Sequence, residues 1–428
     1  MKLLSSFTLL GFAIVAESAK KSYDGAKAVR IPVGEDVTPL KKVIKELNLP
    51  VWKSAKDGVP CAYSNVDLVV PADKVSEFDK MTANMDTKVM HEDLGASIAA
   101  EETAPPVSSR VPATKLAAAN LTWFNAYHDY ADHLQFLSDL AAMYPTRAKV
   151  VTMGASDEGR QITGIHFWGS SGPGIKPAVV LYSTVHAREW ITTVTNEYMA
   201  YHLLTNYDSD PEIRGFVDQY DYYIYPVVNP DGFVYSQTTD RFWRKNRQVL
   251  PSSTCVGRDL NRNWAFHWEV EGGASIIPCE DDYKGLEAGD ATETRVMMEY
   301  TNNIAATQGV QLYIDIHSYA QLFMTPYGFS CEDEPTNGAV LHDLAVGVVN
   351  AISAVYGTSY TAGPVCPTIY PVTGASVDYV NDVTNAKYSF TIELRDTGEN
   401  GFVLPVEEIM PTAIETWAGL RYLLLNMP

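Results

Sequence analysis

The chain has 428 residues, 46% hydrophobic and 11% aromatic, which is enough apolar material for a large core. With 52 acidic against 32 basic residues its formal charge is −20. That balance weighs against a nucleic-acid partner, because phosphate contact needs a basic surface.

Residues 1–18 carry Lys2, an apolar stretch from Leu3 to Ala16, and small residues around Ala16-Glu17-Ser18. The apolar centre is too short for a stable bilayer span, so the expectation is a cleaved secretory signal peptide. No later stretch offers the ~18 uninterrupted apolar residues of a span, so a secreted, extracellular protein without a membrane anchor is expected.

Residues 19–115 read as a separate small domain. Strands are expected at 27–32, near Val51-Trp52, at 65–70 and at 88–92, with helices over 37–47 and 72–85. Leu40, Val43, Ile44 and Leu47 share one helical face. This order suggests an open-faced α/β sandwich. Ala99 to Ala119 is rich in Ala, Glu, Pro and Ser and contains Arg110 and Lys115. It reads as an exposed helix or linker open to proteases; a plain linker between two permanent domains is the alternative. Asn120-Leu121-Thr122 is the sole Asn-x-Ser/Thr glycosylation acceptor.

Residues 116–428 are of a size that commonly forms one α/β domain. Strands are expected at 148–153, 161–168, 178–185, 220–228, 311–317 and 388–393, separated by helical stretches. The organising stretch is Pro177 to Tyr207. The apolar run Ala178-Val179-Val180-Leu181-Tyr182 reads as a buried strand. After Trp190, apolar residues recur at helical spacing (Ile191, Val194, Tyr198, Tyr201). His186 and Glu189 therefore sit where a strand hands over to a helix, and an imidazole and a carboxylate three residues apart can both reach one zinc ion.

Two further strands end on chemistry. Gln311 to Ile316 finishes on His317, and Tyr388 to Ile392 finishes on Glu393. Ligands gather at the carboxyl ends of strands in an open α/β sheet. His186, Glu189 and His317 make a catalytic ligand set that leaves one position open, and Glu393 remains as a general base. Taken singly, a His-x-x-Glu pair or a strand-end histidine is more often an ordinary core feature.

There are five cysteines, and disulfides are expected in a secreted chain. Pairing neighbours gives Cys255–Cys279 and Cys331–Cys366, with Cys61 left over in the segment expected to be removed.

From about Tyr127 to Tyr422 the chain resembles the secreted zinc metallocarboxypeptidases of the pancreatic carboxypeptidase A type. The motifs occur in the same order: His186-Ala-Arg-Glu-Trp190, Asn229-Pro-Asp-Gly-Phe233, Arg241-Phe-Trp-Arg-Lys245, Asp259-Leu-Asn-Arg-Asn-Trp264, His317-Ser-Tyr319, Tyr370 and Glu393-Leu-Arg-Asp-Thr-Gly398. Residues 25–100 are similar to that family's inhibitory propeptide. The resemblance implies an α/β/α sandwich around a mixed eight-stranded sheet, preceded by a small open-sandwich α+β propeptide domain. It implies one zinc ion per chain on His186, Glu189 and His317, with Glu393 as base and the cysteine pairs as above.

Further roles follow from the same likeness. Arg244 polarises the scissile carbonyl. Asn261 and Arg262 bind the substrate's terminal carboxylate, and Tyr370 closes over it. Asp259 holds the first ligand histidine, and Arg188 is an accessory substrate contact. Val377 floors the side-chain pocket, with Ile369, Thr391, Met324, Val372 and Gly328 as walls. The expected protein is a monomeric zymogen, cut between Ala104 and Ala118 by an activating protease and inhibited until then by its own propeptide. Its substrates are peptide or protein C-termini with aromatic or large aliphatic side chains. The alternatives are a carboxypeptidase B-like enzyme releasing basic residues and a catalytically inactive binding protein of the same fold.

Overall fold

The computed structural model describes residues 19–54, 60–102, 121–251 and 253–427. The expected leader, the cleavage window at 104–118 and Asn120 lie outside the described residues.

The first sheet has four strands in the order β2-β3-β1-β4, where β1 is Lys27–Pro32, β2 Val51–Lys53, β3 Asn65–Val70 and β4 Lys88–His91. All neighbours are antiparallel. Side chains alternate between its two faces. Val29, Ile31, Val66, Leu68 and Val70 pack with Leu40 and Val43 of the helix Thr38–Leu47 and with Phe78 of the helix Val75–Met81. On the other face Ala28 and Val69 join Trp52 against Phe242, Tyr319 and Phe402 of the larger unit. The open-faced sandwich is present, and the rest of the chain closes its open face.

Two details differ from expectation. The helix expected to reach residue 85 stops at Met81, after a 3-10 turn at Ala72–Lys74. The stretch expected to be exposed from Ala99 begins inside a helix, Leu94–Glu102, whose Ile98 and Glu101 are buried. Ile98 joins the cluster around Phe242, a long-range contact that local composition does not reveal.

The second sheet has eight strands in the order β11-β10-β12-β9-β7-β8-β6-β5. These are β5 Ala148–Ala155, β6 Gln161–Phe167, β7 Ala178–Ser183, β8 Asp221–Tyr225, β9 Val310–His317, β10 Leu322–Thr325, β11 Thr361–Pro364 and β12 Tyr388–Glu393. The central strands β12, β9, β7 and β8 run parallel, while β10 and β6 run antiparallel to their inner neighbours. Helices cover both faces, which is why β7 is buried throughout and apolar from Ala178 to Leu181. Val179 and Leu181 face a core shared with the helices Trp190–Asn206 and Ile409–Asn426. Ala178, Val180 and Tyr182 face the helix Thr292–Thr307. The helix Gly338–Tyr356 is long and apolar enough to cross a membrane, yet Leu341, Leu344, Val348 and Ile352 bury it against the first of these cores. It meets the helix Ile409–Asn426 so closely that a Cβ on Gly347 would collide with the Tyr422 ring.

Both expected disulfides form, Cys255–Cys279 and Cys331–Cys366, and Cys61 belongs to neither.

Candidate metal centre and substrate cleft

Sheet order β12-β9-β7 places three adjacent strand ends at one edge. Glu393 closes β12 and is the register partner of His317, which closes β9. Beyond β7 the chain turns through Thr184, whose φ is +57°, and the Thr184 hydroxyl is fixed by Thr193 Oγ1 at 2.6 Å and the Pro226 carbonyl at 2.7 Å. This turn delivers His186, and Glu189 stands at the start of the helix Trp190–Asn206. Glu189 does not cap that helix with its side chain, which points to the histidines instead.

His186, Glu189 and His317 are buried, and their ligand atoms lie within 4.8 Å of one another. Glu189 Oε1 is 2.8 Å from His186 Nδ1, Glu189 Oε2 is 3.1 Å from His317 Nδ1, and the two Nδ1 atoms are 3.1 Å apart. Each imidazole has a carboxylate behind it. His186 Nε2 lies 3.0 Å from Asp259 Oδ1, and His317 Nε2 lies 3.0 Å from Asp315 Oδ2. Those acceptors draw the N–H protons outward and turn the Nδ1 lone pairs inward. Two lone pairs and a carboxylate oxygen converging on one point repel one another unless a cation sits among them. The donor set of two imidazoles and one carboxylate suits zinc.

The charges follow from the neighbours. Burial alone would raise Glu189, but His186 and His317 hold its carboxyl well below the usual range. Burial is likewise overruled at Asp259, kept ionised by Arg244, His186 and Arg262. Glu393 is pushed up, chiefly by burial and further by Glu189, with Lys53 opposing.

The expected substrate residues surround this centre. Arg244 donates Nη2 to Asp259 Oδ2 at 2.7 Å and Nε at 3.1 Å, and its Nη1 lies 3.8 Å from Glu189 Oε1. Arg262 donates Nη1 to the Asn261 carbonyl at 2.9 Å, and its buried Nε has no hydrogen-bond partner among the described residues. Asn261 accepts the Ser376 N–H at 2.8 Å and brings its Nδ2 within 3.1 Å of His317 Nε2. Arg244, Arg262, Tyr370 and Glu393 line one cavity of about 670 Å³. Val377 does not line that cavity; it sits in an apolar cluster with Met324, Val365, Val372 and Ala375, against which Ile369 and the cavity-lining Tyr370 pack. The carboxylate next to it, Asp378, accepts N–H bonds from Gly328 and Phe329, and burial pushes its carboxyl up to about 7.

The same cavity is lined by the first unit. Trp52 and Lys53 of β2 reach into it, and Lys53 Nζ donates to the Tyr319 carbonyl. Arg188 is paired with Asp281 at 2.8 Å and gives Nη2 to the Trp52 carbonyl at 3.3 Å. Sequence reasoning missed Lys53 and Asp315. Nothing in β2 points beyond itself to the cleft, but an acid inside the apolar run Tyr313-Ile314-Asp315-Ile316 is a signal, because a buried charge needs a partner.

Comparison with known proteins assigns the two units separately. Residues 133–419 match the family described as zinc carboxypeptidase, and residues 29–101 match the carboxypeptidase activation peptide. Metallocarboxypeptidase A of Arthroderma otae is 44% identical over 422 residues, covering 98% of this chain and 97% of the relative. Carboxypeptidase A4 of Mus musculus is 35% identical over 411 residues, covering 94% and 93%. The crystal structure of thrombin activatable fibrinolysis inhibitor superposes with a TM-score of 0.85 at 26% identity, covering 95% of this chain and 99% of that one. The eight-stranded unit and the small four-stranded unit are thus matched separately. This chain belongs to the zinc carboxypeptidase family and is a metallocarboxypeptidase carrying that family's activation peptide.

Proposed function

We propose that the chain is the secreted zymogen of a carboxypeptidase A-type exopeptidase, with a signal peptide at 1–18, an inhibitory prosegment at 19–115 and a monomeric enzyme at 116–428. His186, Glu189 and His317 hold one zinc ion, which when bound acts as a Lewis acid toward water and the scissile carbonyl. Arg262 and Asn261 receive the terminal carboxylate, for which a planar guanidinium fork is suited. Arg244 faces the developing oxyanion. Glu393 takes the proton of the attacking water and returns it to the leaving amine. Trp52 and Lys53 line the cleft, and the prosegment covers it until it is cut away.

The preference for aromatic or large aliphatic C-terminal residues rests on the uncharged cluster of Val377, Met324, Val372 and Ile369. The neighbouring acid Asp378 is already committed to two backbone N–H groups. A Lys or Arg side chain buries its cation there without a partner, at several kcal/mol, whereas a Phe or Leu side chain gains ~1.5–3 kcal/mol. The ratio of kcat/KM on paired substrates ending in Phe and in Arg is therefore expected at ~10² or more, since ~1.4 kcal/mol is tenfold. Equal values, or a preference for Arg, transfer the chain to the B-like class.

A further inference from the structure

We infer that Asp315 is a positioning residue for the ligand His317 and ties it, through Ser376, to the side-chain pocket. The inference rests on the metal-centre reading above.

Asp315 and His317 are two apart on β9, so their side chains leave the strand on the same side. Asp315 is fully buried in the middle of the sheet. A carboxylate in that position is costly compared with an apolar residue unless its partners use it. Its Oδ2 has two partners, His317 Nε2 at 3.0 Å and the Ser376 hydroxyl, which donates at 2.5 Å. Its Oδ1 has no hydrogen-bond partner among the described residues, so the carboxylate is held by the oxygen that faces the histidine. Asp259 does the same for His186. The two ligand imidazoles are thus each backed by a carboxylate, one from a loop and one from inside a strand.

Two consequences follow. A carboxylate accepts only, so His317 Nε2 carries the proton and Nδ1 offers its lone pair toward Glu189. The Asn261 Nδ2 group, also 3.1 Å from Nε2, then cannot donate to it. Its amide orientation is set from the other end by the Ser376 N–H, which leaves Nδ2 for a ligand carboxylate. Ser376 thus donates its hydroxyl to Asp315 and its N–H to Asn261, and it immediately precedes Val377. The pocket turn, the carboxylate-binding amide and the ligand histidine form one bonded unit.

The test is zinc affinity, measured by chelator competition on the full-length, uncut, metal-free precursor, together with its thermal midpoint and the visible spectrum of the cobalt-substituted form. Asp315→Asn is expected to weaken zinc binding by ~10–100-fold, as loss of such a partner typically does, and to alter the cobalt spectrum. The rise in thermal midpoint on adding zinc is expected to shrink; a merely structural role lowers the metal-free midpoint and leaves zinc affinity and the cobalt spectrum as in the parent. Ser376→Ala keeps the carboxylate but frees it to rotate, and is expected to weaken zinc binding several-fold. It carries the test if Asp315→Asn does not fold. Zinc affinity within about twofold of the parent in the folded variant overturns the inference, since outer partners matter more than that. A parent that binds no zinc overturns the metal-centre reading and this inference with it.

Discussion

The metal centre and the seam between prosegment and enzyme are both buried polar networks, and they are built differently. Around the ligand histidines, the partners Glu189, Asp259, Asp315 and Arg244 belong to the eight-stranded unit. Across the seam the pairs cross from one unit to the other. Arg241 gives Nε and Nη2 to Glu101 at 2.8 Å each, Tyr319 donates its hydroxyl to Asp67, and His91 Nε2 donates to the Asn400 carbonyl at 2.7 Å. With the first unit removed, the first network would keep its partners and the second would lose them. Removing one member of a buried ion pair is far more damaging than the pair is stabilising. The centre is therefore robust to cleavage, while the seam is sensitive to single changes.

The largest expected effects fall on the centre and leave the seam alone. Glu393→Gln in the cut enzyme removes the proposed proton acceptor; general-base loss typically costs ~10²–10⁴-fold, and because the same group is proposed to return the proton, the upper end is expected. Zinc content and prosegment docking are expected to stay as in the parent, checked by metal analysis and by binding of the isolated cleavage products. Near-normal kcat places the base elsewhere. Arg244→Ala is expected to lower kcat by ~10²–10³, the usual cost of an oxyanion donor. An effect confined to KM contradicts that role.

Legibility in the sequence divides along the same line. The central strands and the convergence of His186, Glu189 and His317 could be read because buried parallel strands are unbroken apolar runs, and a His or Glu near the end of one stands out. β10 and β11 were not read from the residues. Leu322–Thr325 is short, and Thr361–Pro364 contains Gly363 and Pro364, which an edge strand tolerates and a strand pattern does not predict. The seam was hardest to read. Trp52, Lys53 and Glu101 look like ordinary residues of a small polar domain until Phe402, Tyr319 and Arg241 meet them from some 140 residues or more away.

The seam is probed by Glu101→Ala in the uncut precursor. Both side chains of the Glu101–Arg241 pair are 1% exposed, and the Arg241 guanidinium also lies 3.7 Å over the Trp190 ring. Without Glu101 the docked state holds an unpaired cation, at ~3–5 kcal/mol. Undocking lets water reach it, so the docked population falls. Hydrolysis of a small substrate by the uncut variant is expected to rise at least ~10-fold over the uncut parent, as even ~1.4 kcal/mol suffices for that factor. The cut enzyme sets the ceiling. An unchanged rate in the uncut variant means that the pair does not hold the prosegment down.

The smallest effect distinguishes a brace of the centre from a brace of the seam. Glu293, near the start of the helix Thr292–Thr307, is fully buried and accepts from Asn246 Nδ2 at 2.6 Å and from the Asp157 N–H at 3.2 Å. Asn246 in turn accepts the Arg258 N–H at 2.8 Å, so Glu293 steadies the two segments that carry Arg244 and Asp259. Burial pushes its carboxyl from 4.5 up to about 7, against the pull of those hydrogen bonds. An acid raised in the folded state favours folding while it is protonated. Its penalty is absent below pH 4.5, grows as the pH rises, and is complete above about 7. The difference amounts to ~3 kcal/mol. Glu293→Gln removes the titration, so the stability of the variant relative to the parent is expected to improve steadily from pH 5 to 7.5 and then level off. Because every partner of Glu293 lies in the enzyme, thermal midpoints should show the same trend in the uncut precursor and in the cut enzyme. A pH-independent difference refutes the titration, and a trend confined to the precursor assigns Glu293 to the seam instead.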